Sequence, residues 1–117
     1  GHFNDRLAFS ILLEQLDSSI LFEIDTYWIQ TAGTDAADLV RRLGERAPLL
    51  HIKDGPLKRE LPMVAVGDGQ MEFEKIIPAG EPHTQWLIVE LDSCAGDMMK
   101  AVARSHNYLA NFNPLPE

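Results

Sequence analysis

The sequence predicts an α/β fold, a helix followed by three βα units whose strands lie parallel in one sheet. Its apolar residues alternate between helical spacing and short β-prone runs. The strand-like runs recur at roughly 30 to 40 residues, a separation that suits βαβ units with right-handed crossovers. No two of them are joined by a tight hairpin turn, so each strand returns through a helix. Three parallel strands leave two unpaired edges, and something supplied from elsewhere must complete such a sheet.

The elements follow in order. Gly1-His2 reads as the remnant of a cleaved purification tag and is set aside, leaving residues 3–117 as one domain. Across residues 6–16, Leu7, Ile11, Leu12 and Leu16, with Phe9 and Leu13, recur near the helical period behind Asp5 as a candidate N-cap. The first strand spans residues 20–25 and runs on into Thr26-Tyr27-Trp28. Ala36, Leu39, Val40 and Leu43 mark a helix capped by Thr34 or Asp35 and stopped by Gly44. Residues 48–53 form the second strand, which Asp54-Gly55-Pro56 ends with turn-favouring residues. Residues 57–70, interrupted by Pro62 and by Gly67-Asp68-Gly69, read as a long loop, and such loops in compact domains are usually functional. A short helix over 73–79, a third strand over 86–91 and a last helix over 97–111 complete the chain, the last with Met98, Ala101, Val102, Ser105, Tyr108 and Leu109 facing inward.

Composition narrows the function. The 117 residues suit one small domain, and a net charge of −8 without a basic stripe argues against nucleic acid as a partner. The longest apolar run, Trp86-Leu87-Ile88-Val89, is far too short to cross a bilayer, and the start lacks a signal-peptide pattern, so a cytoplasmic location is expected. Cys94 is the sole cysteine, which removes disulfides and Cys-rich zinc sites; any metal must be held by oxygen and imidazole.

Strand alternation places the chemistry. Residues two apart share a face, so Glu23 projects with Asp25, His51 with Lys53, and Glu90 with Asp92. Six ionisable side chains on one face are costly in a closed apolar core. At the carboxyl ends of parallel strands they suit a ligand site, and a carboxylate, an imidazole and a second carboxylate suit a divalent metal. Lys53 has a plainer role open to it, neutralising Glu23, Asp25 or Glu90. His83 and His106 read as solvent-facing, and Cys94 as a small packed side chain.

Four segments together resemble a known family. Phe22-Glu23-Ile24-Asp25-Thr26-Tyr27-Trp28 followed by Gly33, Leu50-His51-Ile52-Lys53-Asp54, Val66-Gly67-Asp68-Gly69 and Val89-Glu90-Leu91-Asp92 resemble successive motifs of the sugar phosphate isomerases/epimerases with a xylose isomerase-like TIM barrel. The resemblance implies a partial (β/α) TIM-type barrel, because a full barrel takes about 250 residues and this length matches its last three βα units with the helix before them. It implies Asp25, His51 and Glu90 as ligands of Mn²⁺, Mg²⁺, Co²⁺ or Zn²⁺, with the family's fourth ligand, a Glu on an earlier strand, outside this sequence. Asp68 stands where the family often has Glu.

The implied activity is a metal-dependent isomerisation or epimerisation of a sugar or sugar phosphate through an ene-diolate. Glu90 is the expected proton-transferring carboxylate, Lys53 and Asp54 orient substrate oxygens, and Trp28 packs against the sugar. With one ligand missing, the chain alone is expected to be weak or inactive. A polyol dehydratase of the same fold and a non-catalytic half-barrel interaction module are the alternatives. A homo-oligomer, most simply a dimer that completes the sheet, is the expected assembly.

Overall fold

A computed structural model describes residues 1–112; residues 113–117 of the expected domain lie outside the described residues. The chain begins with an antiparallel hairpin, β1 (His2–Phe3) and β2 (Arg6–Leu7), and continues through α1 (Ala8–Gln15), β3 (Glu23–Asp25), α2 (Thr26–Thr31), α3 (Ala36–Leu43), β4 (Leu49–Ile52), α4 (Phe73–Gly80), β5 (Trp86–Val89) and α5 (Met98–Ala110). The strands β3, β4 and β5 pair in that order, all parallel. This is the three-stranded parallel sheet of a partial (β/α) barrel, with helices between successive strands.

Register fixes which residues meet. Glu23 lies opposite Leu49 and Asp25 opposite His51; on the other side of β4, Leu49 lies opposite Trp86 and His51 opposite Ile88. Ile24, Leu50 and Ile52 point to the other face, where they are buried with Leu39, Val40 and Leu43 of α3 and Phe73, Ile76 and Ile77 of α4 in one apolar cluster. Each such side chain stabilises the fold by about 1.5–3 kcal/mol through burial. The helices thus cover one face, and the polar residues stand on the other.

Two local expectations are corrected. A hairpin does occur: Asn4 and Asp5, at φ 48° and 61°, make the turn between β1 and β2. Asp5 is therefore not an N-cap; Leu7 holds that position of α1 without a side-chain bond. Gly1 joins the fold, since its carbonyl accepts from the Ala8 N–H at 2.9 Å. The second correction is Thr26-Tyr27-Trp28, which opens α2 instead of ending the strand. The Asp25 carboxylate stops β3 there by accepting the Trp28 N–H at 3.1 Å, an N-cap that favours helix from the next residue onward.

The last helix buries Ala101 and Ser105 on its inner face, whereas Met98 in its first turn is 40% exposed. Among the described residues, no helix is long and apolar enough to cross a membrane.

Candidate functional site

The site grows out of the carboxyl end of β4 and its two neighbours. His51, half-buried on the open face, lies between carboxylates from both adjacent strands. Its Nδ1 stands 3.2 Å from Glu90 Oε2 and 3.6 Å from Asp25 Oδ2, and its Nε2 stands 2.7 Å from Glu23 Oε1. The structure therefore brings Asp25, His51 and Glu90 together. Asp25 divides its carboxylate, Oδ1 capping α2 and Oδ2 turned into the cluster.

Lys53, two residues beyond His51, is only 3% exposed. Its Nζ donates to both oxygens of Asp92, at 3.0 and 2.9 Å, and pairs with Asp25 Oδ2 at 2.9 Å and Glu90 Oε1 at 3.4 Å. Burial by itself lowers the Lys53 pKa, but Asp25 and Asp92 outweigh it and hold the ammonium above its ordinary value. The Lys53 ammonium in turn holds the Asp92 carboxyl below the usual carboxylate range against the opposing effect of burial, with help from Trp28. Trp28 Nε1 donates to Asp92 Oδ2 at 3.0 Å, tying the start of α2 to the end of β5. Lys53 is thus a counter-ion for three carboxylates, the plainer of the roles the sequence allowed it.

Asp54 does not join this cluster, and its expected place among substrate-orienting groups is corrected. Its carboxylate is fully buried and accepts four backbone N–H groups, Gly55 at 2.8 Å and Gly67, Gly69 and Met71 each at 3.0 Å. With both oxygens engaged, it moulds the Gly67-Asp68-Gly69 turn instead of facing a ligand. Gly69 is required for that approach, because a Cβ there would meet Gly55 N at 2.5 Å and the Asp54 carboxylate. Asp68 points outward and pairs with Arg104 of α5 at 2.6 Å. His83 and His106 are exposed and away from the cluster.

Glu23 and Asp92 enter the site although the sequence named neither as a ligand nor as a substrate-binding residue. Strand alternation had put them on the correct face, but only the lateral offset between strands shows that one reaches the His51 ring and the other Lys53. Among the described residues, no group of three or more His, Cys, Asp and Glu side chains encloses a ready cation position. The Lys53 ammonium already stands against the Asp25 and Glu90 oxygens that such an ion would share.

A sugar phosphate isomerase/epimerase from Parabacteroides distasonis ATCC 8503 superposes with a TM-score of 0.70 at 28% identity, over 86% of this chain and 34% of that one. The chain resembles part of a sugar phosphate isomerase/epimerase barrel. A xylose isomerase domain protein from Alicyclobacillus acidocaldarius shares the fold, with a TM-score of 0.56 at 15% identity, over 77% of this chain and 36% of that one. This chain spans about a third of the length of either structure. No family model and no curated protein matches it.

Proposed function

We propose that this chain supplies the later strands of a metal-dependent isomerase or epimerase acting on a sugar or sugar phosphate. The observation that carries the reading is the placement of His51 Nδ1 beside Asp25 Oδ2 and Glu90 Oε2 at the carboxyl ends of three parallel strands. A carboxylate, an imidazole and a second carboxylate are donor types that suit a divalent ion of the Mn²⁺, Mg²⁺, Co²⁺ or Zn²⁺ class, although Lys53 would have to give up its pairs with Asp25 and Glu90 to admit one. Asp25, His51 and Glu90 would hold it, and the bound ion would polarise adjacent substrate oxygens and stabilise an ene-diolate.

Glu90 is the residue suited to move the proton. Its carboxylate is partly open to solvent, with Oε1 3.4 Å from the Lys53 ammonium. Asp25 is less free to do so, because one oxygen caps α2. The indole of Trp28, anchored through Asp92, supplies an apolar wall for a sugar face. A second carboxylate across the substrate would come from outside these residues, and the isolated chain is weak or inactive on this reading.

The open sheet face also needs cover, and we assign it a second copy of this chain. Both outer strands offer unpaired backbone groups, and Trp86 and Leu21, 68% and 58% exposed, add apolar area near that face.

Calorimetric titration with Mn²⁺ tests the metal reading. The wild type binds, His51→Ala loses most of the affinity, and His83→Ala and His106→Ala keep it. Equal behaviour of the three variants would sink the assignment.

A further inference from the structure

We infer that the Tyr27 hydroxyl is a latch on residues 57–62, holding closed a loop tip that stands beside the candidate site. The inference goes beyond the proposed activity and needs no bound ion. The base of this loop is firmly held. Asp54 accepts the backbone N–H groups of Gly67, Gly69 and Met71, the Val64 N–H donates to the Asp54 carbonyl at 3.0 Å, and the Gln70 N–H donates to that of Gly55 at 2.9 Å. The tip is held far less. Residues 58–62 are exposed, and among the described residues Lys58, Arg59 and Glu60 make no ion pair. The Leu61 N–H bonds within the tip, to the Lys58 carbonyl at 3.2 Å. Among the described residues, one hydrogen bond joins the tip to the rest of the chain, from the Leu57 N–H to the Tyr27 hydroxyl oxygen at 3.1 Å.

That bond opposes a strain. Leu57 has φ 59°, a left-handed conformation costly for a branched side chain. Letting go relaxes the backbone, so the hydroxyl and the packing of Leu57 on the core hold the tip against its own local preference. Such a segment opens far more readily than the fold unfolds. Gly55 is part of the latch, because a Cβ there would stand 2.7 Å from the Tyr27 hydroxyl and push it from its place. Both feet of the tip stand on the site. Buried Tyr27 packs edge-on against Trp28, 5.2 Å between ring centroids, and Trp28 donates to Asp92. At the other foot, the sulfur of Met63 accepts the Asp92 N–H at 3.4 Å. A cavity of about 280 Å³, bordered by Leu61, Pro62, Gly69 and Gln70, gives the tip room to move.

Amide hydrogen exchange and native-state trypsin digestion of the full chain read the latch. In the wild type the Leu57 N–H is protected while its neighbours Lys58 and Arg59 exchange freely. In Tyr27→Phe it exchanges about 2- to 10-fold faster, the worth of one hydrogen bond, and cleavage after Lys58 and Arg59 quickens by the same factor. Gly55→Ala, which displaces the hydroxyl without removing it, moves both readings the same way. Cleavage after Arg41 and Arg42 in α3 stays at the wild-type rate, since that helix opens only with the core it covers. An unprotected Leu57 N–H in the wild type, or a Tyr27→Phe tip cut no faster than the wild type, overturns the latch. Equal acceleration at Arg41 and Arg42 in both variants overturns it as well, because the hydroxyl would then hold the whole fold and not the tip.

Discussion

Asp54 and Lys53 are adjacent in the chain, equally charged in magnitude and both buried, yet they serve opposite ends of the molecule's chemistry. Lys53 completes the cluster on the open face; Asp54, one residue on, turns to the covered side and gathers the backbone of a distant loop. Both lie just past the end of β4, where Asp54 leaves the parallel sheet for an isolated bridge with Val64. Asp54→Asn replaces one acceptor oxygen with an amide that confronts backbone N–H donors. We expect a loss of about 2 kcal/mol in urea unfolding, the scale of a buried hydrogen bond to a charged group. A loss below about 0.5 kcal/mol would show that the loop is held by something other than this carboxylate.

At the scale of elements, α5 is joined to that loop by the Arg104–Asp68 pair, by Ser105 Oγ, which accepts the Val66 N–H at 2.9 Å, and by the ring of Tyr108. Tyr108 packs beside Phe73 of α4 at 6.2 Å between ring centroids, and its ring lies so close over Gly67 that a Cβ there would come within 2.9 Å of it. Gly67 also sits at φ 97°, where other residues are strained. Burial raises the Tyr108 phenol above its ordinary pKa of 10.0, with Glu74 and Asp54 adding to the effect. The folded state therefore holds this proton more tightly than the unfolded chain does. The stabilisation is whole below pH 10.0 and is lost as pH rises through the raised folded value. Tyr108→Phe has no proton to lose, so its stability relative to wild type rises above that pH. A constant difference between the two proteins in denaturant unfolding from neutral to strongly alkaline pH would contradict the assignment.

For the whole molecule, the open face decides the state of assembly. The covered face carries a continuous apolar core, while the other presents Glu23, His51 and the exposed Trp86 to solvent. Light scattering at micromolar concentration should give twice the mass of one chain, and Trp86→Asp should shift the equilibrium toward the monomer without unfolding it, because Trp86 is 68% exposed within the chain. A stable monomer in the wild type would remove the second copy as the occupant of this face.

The sequence by itself determined the alternation of strand and helix, the parallel sheet and the face on which Asp25, His51 and Glu90 stand. Those features follow from local periodicity, which a residue's neighbours in the chain suffice to set. It left the hairpin at Asn4-Asp5 unread, because the turn rests on positive φ at two residues that also favour helix caps. It extended β3 into Thr26, because the capping bond from Asp25 to Trp28 competes with strand and apolar pattern does not reveal which prevails. Tertiary structure alone decided the fates of the polar residues. Whether Asp54 meets a ligand or a loop, and whether Glu23 reaches His51, depends on lateral register and on segments distant in the chain. Such contacts lie between strands and loops, where no periodicity within one segment records them.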